Sequence, residues 1–229
     1  MLIINDIFNL FLPKRCGACN MILETYEKVI CTNCRHDLPV TSKKSLHYNL
    51  AKKIFKNSKI NNVSTLFYYE TNTEVQELIH NLKYRNQTEI GKIIGEWHVS
   101  KLLELKNFNI IDFVVPVPIH PKKLRKRGYD QLESYGETLA DKLNATYTTK
   151  ILKKIVNTKT QSKHSRKERF NNILNSIAIS KTNIENKHIL LIDDVITTGA
   201  TLKACIKCLQ QINGIQISVA AIAITILDN

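Results

Sequence analysis

The chain has 229 residues, of which 43% are hydrophobic, which is enough for one sizeable core and a small appended module. Only seven glycines and five prolines occur, which excludes a collagen-like or broadly disordered chain. The net charge of +13 favours anionic partners such as phosphorylated metabolites, nucleic acid or an acidic membrane surface, although a basic surface can also serve solubility alone.

The first twelve residues are apolar but interrupted by Asn5, Asp6 and Asn9, and they predict a short helix packed on the body of the protein. They carry neither a basic start nor a small-residue cleavage site, so no signal peptide is predicted. The longest apolar stretch near the end, residues 219–227, is far too short to span a bilayer. We therefore expect no membrane insertion and a cytoplasmic location.

Four of the six cysteines form two C-x2-C pairs that are separated by eleven residues. Each pair can hold one side of a tetrahedral ion through thiolates at about 2.3 Å, so the spacing predicts a closed, structural zinc site, with iron as the less common alternative. Gly17 and Asn33 are expected to suit the tight turns of the two pairs. The predicted ligands are Cys16, Cys19, Cys31 and Cys34.

A third pair, Cys205 and Cys208, lies inside a helical pattern of apolar residues and is expected to be core rather than a metal site. The chain is divided into a module over residues 1–42, a basic connector over residues 43–60 and a larger domain over residues 61–229. The basic residues that suggest the connector are Lys43, Lys44, Lys52, Lys53 and Lys56.

From residue 61 onward the pattern predicts strands that alternate with helices, which indicates an α/β fold with a mostly parallel sheet covered on both faces. Thr73 is expected to cap a helix, with Gln76 completing a capping box. Ligands of such sheets bind beyond the carboxyl ends of the strands. Strands are predicted at 63–69, 113–118, within 145–156, and at 188–194 and 216–227; further helices are predicted at 88–106, 131–143 and 200–212.

The segment Ile189–Leu202 is the most informative one. A buried apolar strand runs into two adjacent carboxylates, Asp193 and Asp194, and a loop of small and hydroxyl residues leads from them into a helix. Backbone N–H groups at a helix N-terminus can surround a phosphate, and Gly199 would let the backbone come close to it. The carboxylates can accept hydrogen bonds from the hydroxyl groups of a ribose. The pattern therefore predicts a site for a phosphorylated sugar.

This segment resembles the motif with which type I phosphoribosyltransferases bind 5-phosphoribosyl-1-pyrophosphate (PRPP). The resemblance implies that Asp193 and Asp194 hold the ribose, that the following loop holds the 5-phosphate, and that magnesium accompanies the pyrophosphate. The residues that it assigns to PRPP are Asp193, Asp194, Ile196, Thr197, Thr198, Gly199, Ala200 and Thr201.

The whole chain resembles the ComF family, competence-associated phosphoribosyltransferase-like proteins of bacteria. The resemblance implies a type I phosphoribosyltransferase fold with an N-terminal zinc-ribbon-like module, a pyrophosphate loop after Val117 and a mobile loop region over residues 159–169. Its motifs are the cysteine pairs, Leu82–Tyr84, Val115–Pro118, Arg127–Gln131, Thr158 with Gln161, Arg169 with Asn172, and the phosphate loop. The expected pyrophosphate-side residues are Pro118, Ile119, Lys83, Arg127 and Arg169.

The sequence departs from the family pattern at several positions. Asp130 replaces an asparagine, which would weaken anion binding unless Arg125 or Arg127 pairs with it. Lys154 stands where arginine is usual, so a bidentate contact is lost there. Asn86 replaces a glycine, and Asn175–Ile177 replaces Gly-Ala-Phe.

Two basic clusters are expected on the ligand side, and they exceed what one small ligand needs. The excess could follow a single-stranded nucleic acid, with Tyr84 and Tyr129 as stacking platforms, or form a solvated rim. Two functions therefore stay open: transfer of a phosphoribosyl group to an unknown acceptor, and non-catalytic handling of DNA with competence machinery, with PRPP as ligand or signal. The clusters are Lys122, Lys123, Arg125, Lys126 and Arg127, and Lys163, His164, Arg166, Lys167 and Arg169.

Overall fold

The computed structural model describes residues 13–42, 46–85, 87–105, 108, 110–155, 172–180 and 183–225. The predicted N-terminal helix, the predicted mobile loop with Arg169 and the second basic cluster lie outside these residues, as does Asn86. Among the described residues, none of the helices combines the length and the apolar character needed to cross a membrane.

A five-stranded parallel sheet forms the centre of the larger domain, in the order β1-β7-β6-β2-β3. Apart from the short edge strand β3, its strands are mostly buried, as parallel strands covered by helices are. A separate antiparallel pair is formed by β4 and β5. The strands are β1 (Asn62–Tyr68), β2 (Phe113–Pro116), β3 (Thr146–Tyr147), β4 (Leu152–Lys154), β5 (Ile177–Ile179), β6 (His188–Ile196) and β7 (Gln216–Ile224).

Helices cover both faces of the sheet, as the alternating pattern predicts. One core contains Leu190 and Ile192 of β6 with buried residues of α3, α4 and α6. The other core contains Ile189 and Leu191 with residues of α2 and α7, because successive strand residues point to opposite faces. The helices are α1 (Thr32–Asp37), α2 (Leu46–Ile54), α3 (Glu74–Tyr84), α4 (Thr88–Leu103), α5 (Pro121–Arg127), α6 (Glu133–Lys142) and α7 (Ala200–Leu209).

The connections that leave β2 and β6 run to opposite sides of the sheet. After β2 the chain moves outward to β3, whereas after β6 it moves to β7 on the other side. A crevice opens at such a switch point because the two connections diverge, and ligands of open α/β sheets bind there. The N–H of Val117 still donates to the carbonyl of Ile192 at 2.9 Å, so the end of β2 stays level with Asp193.

Three helices, α1, α2 and α5, occur where the sequence analysis assigned none. Within the predicted connector, Ala51 of α2 and Phe55, the residue after this helix, pack into the core beside α7. Directly after β2, the basic segment folds as α5, with Pro121 in its first turn and Gly128 (φ 86°) ending it in the left-handed conformation. Its basic residues masked the helix, because a short exposed helix needs no apolar stripe.

The predicted capping box at Thr73 is wrong in its contacts. Thr73 is the N-cap of α3, but its hydroxyl donates to the carbonyl of Glu70 and makes no capping hydrogen bond. The side chain of Gln76 accepts from the N–H of Asn72 instead. Asn72 has a φ of 61°, and this turn moves the partner of Gln76 one residue outward.

The cysteine-bearing segment continues into the edge of the sheet. The N–H of Thr41 donates to the carbonyl of Leu66 at 2.8 Å, and the N–H of Tyr68 donates to Pro39 at 3.0 Å. Residues 39–41 thus cover the free edge of β1, which would otherwise offer unpaired backbone groups. The predicted boundaries at residues 42 and 60 themselves stay predictions.

Candidate functional site

The acid pair Asp193–Asp194 lies near the carboxyl end of β6, beside the crevice at the switch point. The Oδ2 atom of Asp194 is 3.0 Å from Nζ of Lys83 and accepts a hydrogen bond from Nε2 of Gln131 at 3.0 Å. Lys83 lies in the last turn of α3 and Gln131 precedes α6, so the segments that follow β1 and β2 converge on one carboxylate. The sequence analysis placed Lys83 on the pyrophosphate side, whereas its partner here is the acid pair.

Asp193 and Asp194 differ in their surroundings. Asp193 accepts the backbone N–H of Asp194 at 2.9 Å, while its side chain faces the α7 side of the sheet. Burial and the charge of Asp194 raise the pKa of Asp193 to about 8, and the cations Lys83 and Lys154 only partly oppose this. The pair therefore holds a proton near neutral pH, which a cation or a hydroxyl-rich ligand could displace.

The segment after β6 has the form of a phosphate loop. Thr197 and Thr198 are exposed, and Gly199 is the N-cap of α7 with a φ of 68°. Ala200 and Thr201 begin the helix, so their N–H groups and those of the loop lie at its positive end. The hydroxyl of Thr198 accepts one of them, from Ala200, at 3.3 Å.

The structure gives a different reason for the glycine at position 199. A Cβ atom there would lie 2.7 Å from Cγ2 of Ile54 and 3.3 Å from Cζ of Phe55. The missing side chain therefore makes room for α2 and the residue after it, and the positive φ also favours glycine. The approach of a phosphate to this backbone stays a prediction.

The motif residues around α5 form one connected surface. The guanidinium of Arg127 lies 5.3 Å from the centre of the Tyr84 ring, within cation–π distance. The hydroxyl of Tyr129 donates to the carbonyl of Leu82 at 3.0 Å. Tyr84 keeps 64% of its surface exposed and could still stack with a base, whereas the hydroxyl of Tyr129 is held by the protein. Pro118 and Ile119 connect β2 to this surface.

Asp130 is accommodated by the backbone as well as by a cation. Its Oδ1 accepts the N–H of Leu132 at 2.9 Å, and Arg127 supplies the nearby positive charge that the sequence analysis required. Burial nevertheless raises the pKa of Asp130, and the charge of Asp194 adds to this effect. Across the crevice, burial and the charge of Lys123 lower the pKa of Lys154.

The basic residues of α5 are presented to solvent at the ligand edge of the sheet. The side chain of His120 accepts the N–H of Lys122 at 3.1 Å and so caps the helix without adding negative charge. A short helix with this composition presents a dense positive surface directly beside the crevice. Its exposed cations are Lys122, Lys123, Arg125 and Lys126.

The four N-terminal cysteines converge as predicted. Their sulfur atoms all lie within 4.8 Å of one another, and the Sγ of Cys16 accepts the N–H groups of Ala18 at 3.4 Å and Cys31 at 3.3 Å. Burial opposes ionisation of Cys16, but backbone N–H groups outweigh it and lower its pKa to about 7. A compact set of thiols that receive backbone hydrogen bonds is suited to a tetrahedral metal ion.

Gly17 lies in a turn over residues 17–19, as predicted, whereas the turn predicted at Asn33 is wrong. Gly17 has no positive φ; a Cβ atom there would lie 2.8 Å from Cδ1 of Ile90, so glycine also lets the cysteine loop pack on α4. Asn33 lies exposed within α1, and the left-handed turn is made by Asn20 with a φ of 63°. Contacts between distant segments leave no signal in a C-x2-C spacing.

Cys205 and Cys208 belong to the core on the α7 side, as predicted. Both lie on α7 with at most 9% of their surface exposed, and the thiol of Cys208 donates to the carbonyl of Ile177 at 3.7 Å. Ile177 is itself buried, so the departure at 175–177 keeps an apolar side chain in this core.

Comparison with known proteins agrees with this geometry. Residues 134–226, which contain the acid pair and the loop, match the phosphoribosyl transferase domain family. Together with the parallel sheet this identifies a type I phosphoribosyltransferase fold. "Competence protein F" of Haemophilus influenzae is 30% identical over 151 residues, which are 64% of this chain and 66% of the relative, just under two thirds of its length.

"Competence protein ComFC" of Bacillus subtilis is also 30% identical, over 62% of this chain and 55% of the relative. These two matches and the phosphoribosyl transferase domain support a ComF family protein. "DNA utilization protein YhgH" of Escherichia coli is 24% identical over 82% of this chain and 80% of the relative.

Solved adenine phosphoribosyltransferases are less similar in sequence to this chain. The enzyme from Leishmania tarentolae is 11% identical, covers 70% of this chain and 91% of its own, and has a TM-score of 0.41. The enzyme from Trypanosoma brucei is 18% identical, covers 80% and 69%, and has a TM-score of 0.39.

Proposed function

We propose that this ComF protein binds PRPP together with magnesium in the crevice between β2 and β6, and transfers or recognises its phosphoribosyl group. The observation that carries the proposal is the acid pair Asp193–Asp194 at the switch point, followed directly by a loop that ends in the N-terminus of α7. In this arrangement the carboxylates accept hydrogen bonds from the ribose, and the loop N–H groups donate to the 5-phosphate.

The expected magnesium suits both the carboxylates of the protein and the phosphate oxygens of PRPP. Among the residues that the structure describes, the cysteines form the only group of three or more side chains placed to hold a metal ion. Magnesium commonly takes one or two carboxylates, several waters and the oxygens of a substrate phosphate. Asp193 and Asp194 supply such carboxylates, and a pyrophosphate would supply the remaining oxygens, so the ion would arrive with its ligand.

As a transferase, the protein would act mainly by positioning and electrostatics. PRPP would lose pyrophosphate while an acceptor attacks C1 of the ribose, and positive charge would develop on the sugar. Carboxylates beside the ribose would stabilise that charge, while basic groups on the pyrophosphate side would stabilise the leaving group. Arg127 is the described candidate for that side; Arg169 is a second candidate from its motif.

Calorimetric titration with magnesium and PRPP tests the binding. Asp193→Asn with Asp194→Asn removes two charge-assisted acceptors worth about 1.5–3 kcal/mol each, so PRPP affinity should fall by roughly two orders of magnitude or more. Asp141→Asn with Glu185→Gln changes the charge equally at exposed positions and should leave the affinity unchanged. Wild-type affinity for PRPP no better than for ribose 5-phosphate would exclude the proposal.

A turnover assay separates a transferase from a binding protein. Release of pyrophosphate from PRPP would be followed with nucleobases, amines and ammonia as acceptors. Release that depends on one acceptor and disappears in the double asparagine variant identifies the enzyme. Tight binding of PRPP without release by any acceptor would leave PRPP as a ligand or signal.

A second candidate function is the binding of single-stranded DNA. It is favoured by the exposed cations of α5 beside the crevice, and the relatives are named for competence and for DNA utilization. If α5 follows the phosphate backbone, Lys122, Lys123 and Lys126→Glu should weaken binding of every sequence and flatten its dependence on salt. Lys28, Lys59 and Lys207→Glu is the control with the same charge change, and equal affinity of both triple variants would contradict this role.

The ion at the cysteine cluster is proposed to be one zinc per chain with a structural role. Four thiolates leave no open position for a substrate, and zinc is the usual ion in such a set. Elemental analysis of freshly purified protein measures it directly.

A further inference from the structure

The last turn of α3 contacts both the cysteine cluster and the acid pair. Three consecutive residues, Asn81, Leu82 and Lys83, each make a specific polar contact with a different part of the molecule. The proposed PRPP site and the proposed zinc site are thus joined by less than one turn of helix. The inference below rests on both proposals.

Asn81 joins the helix to the first cysteine pair. Its side chain is 3% exposed, and its Nδ2 donates to the carbonyl of Gly17 at 2.8 Å. Gly17 lies between Cys16 and Cys19, and its own N–H donates to the carbonyl of Val29 at 2.8 Å, which ties together the two arms of the module. The hydrogen bond from Asn81 to Gly17 therefore depends on the conformation of the cysteine loop, which a bound metal ion would fix.

Leu82 and Lys83 join the same turn to the ligand side. The carbonyl of Leu82 accepts the hydroxyl of Tyr129, and Nζ of Lys83 lies 3.0 Å from Asp194. A helical turn moves as a unit because its backbone is hydrogen-bonded from residue to residue. A shift of Asn81 would therefore displace Lys83 and change the charge beside the acid pair.

Asn81 also shows that this contact has a cost. Its Oδ1 atom is buried and has no hydrogen-bond partner in the part of the chain that the structure describes. An apolar side chain of similar size would avoid that unmade hydrogen bond, whose cost is about 1–3 kcal/mol. The fold keeps asparagine here although only one half of its amide is satisfied, which points to a use for the bond to Gly17.

We propose that Asn81 is a positioning residue through which the metal-loaded cysteine cluster holds Lys83 against Asp194, so that metal binding and PRPP binding strengthen each other. Coupling between two sites is reciprocal: the factor by which metal raises PRPP affinity equals the factor by which PRPP raises metal affinity. One buried hydrogen bond and one displaced ion pair correspond to a coupling of about fivefold to tenfold.

The wild-type protein permits a test without mutation. PRPP affinity with magnesium is measured by calorimetry on zinc-loaded protein and after removal of zinc by a chelator, with an expected loss of about fivefold to tenfold. Competition for zinc by a chromophoric chelator, with and without PRPP, should give the same factor. The guanidinium carbon of Arg35, in α1, lies 5.7 Å from the ring centre of Trp97, the single tryptophan. The emission of Trp97 therefore monitors whether the cysteine module stays packed on the larger domain.

Variants then assign the coupling to Asn81. Asn81→Leu should keep one zinc and the wild-type emission of Trp97 but lose PRPP affinity about fivefold, and Asn81→Gln, which retains the amide, should recover part of it. In a Lys83→Met background, Asn81→Leu should have no further effect, which a purely structural role would not produce. Asn213→Ala is the control for an exposed asparagine.

The outcomes separate the inference from the proposals beneath it. If wild-type protein binds no PRPP, the proposed function is wrong and the inference fails with it. If wild-type protein binds PRPP but zinc removal leaves the affinity unchanged while the emission of Trp97 changes, the coupling alone is wrong. If Asn81→Leu does not fold, the two measurements on wild-type protein decide. Zinc should raise PRPP affinity by the same factor by which PRPP raises zinc affinity. Equal factors above one support the coupling, and factors of one overturn it.

Discussion

The cysteine cluster and the acid-pair site are built in opposite ways. All four cysteines lie between residues 16 and 34, and two short turns with one helix bring their sulfur atoms together. The carboxylate of Asp194 instead receives Lys83 and Gln131 from two other parts of the chain. The first site depends on local turns, whereas the second depends on the order of strands in the sheet.

The two sites also treat negative charge differently. At the cysteine cluster, backbone N–H groups lower the pKa of Cys16 to about 7, whereas burial raises the pKa of Cys19 and of Cys34, so one thiolate is favoured before an ion binds. Burial and Asp194 raise the pKa of Asp193 to about 8, which disfavours its carboxylate until a ligand arrives. The first site thus contains one thiol that ionises near neutral pH, whereas the buried carboxylate of the second site loses its proton only when the pH rises or a ligand binds.

The largest expected effect is on the local site. Cys16→Ser with Cys19→Ser removes half of the ligands, so the zinc content should fall from about one per chain to none, and the N-terminal module should be destabilised. Structural zinc binding in small modules is worth about 10–16 kcal/mol, which no remaining contact replaces. Elemental analysis measures the zinc content, and the emission of Trp97 measures the state of the module. Cys205→Ser changes a core cysteine outside the cluster, and this control variant should still contain about one zinc per chain.

The next largest effect is the pH dependence of PRPP binding. The pKa of Asp193 is about 8 in the folded chain, whereas the usual value in an unfolded chain is near 4. Between about pH 4 and 8 the folded chain therefore keeps a proton that the unfolded chain has already lost. The stability of the empty protein should therefore fall as pH rises through this range. Because the carboxylate is the form that accepts ribose hydroxyls, PRPP affinity should rise by roughly one to two orders of magnitude from pH 6 to 8.

Asp193→Asn supplies the comparison for that profile. It should bind PRPP weakly at every pH and should lose the fall in stability with pH, while the titration of the PRPP phosphates affects both proteins alike. Calorimetry and thermal unfolding at matched pH values measure the two profiles. Parallel profiles of wild type and variant would show that Asp193 does not titrate in this range.

A smaller effect is expected at Gly199, where loop and core meet. Gly199→Ala forces a side chain into a positive φ and against Ile54, so the free energy of unfolding should fall by about 1–3 kcal/mol even without ligand. The larger Gly199→Val would confound lost phosphate binding with lost packing. Urea unfolding of the empty protein checks this, and Gly128→Ala, which has a positive φ but open space around its Cβ, separates strain from contact.

The smallest effect sharpens the account of α3. Because the hydroxyl of Thr73 makes no capping bond, Thr73→Ala should change the free energy of unfolding by less than the roughly 1 kcal/mol that a bonded N-cap contributes. Urea unfolding measures the change. A loss of 2 kcal/mol would indicate that the capping bond forms in solution.

The sequence by itself determined the elements whose signals are local: the cysteine pairs, the alternation of strands and helices, and the acid pair with its loop. It did not determine α2 or α5, because short helices that pack through one or two residues carry little periodicity. Nor could spacing predict that Gly17 and Gly199 are glycines because Ile90 and Ile54 pack against them.

Only the tertiary structure decided which residues surround Asp194 and how the two sites are connected. Lys83 and Gln131 lie in two family motifs, but nothing in the sequence pairs either of them with Asp194, and Asn81 carries no signal there that distinguishes it from a surface amide. They become partners because the strand order brings the ends of β1, β2 and β6 to one edge of the sheet and because the cysteine module packs on α3 and α4. Such contacts arise from the arrangement of whole elements, which no short stretch of residues encodes.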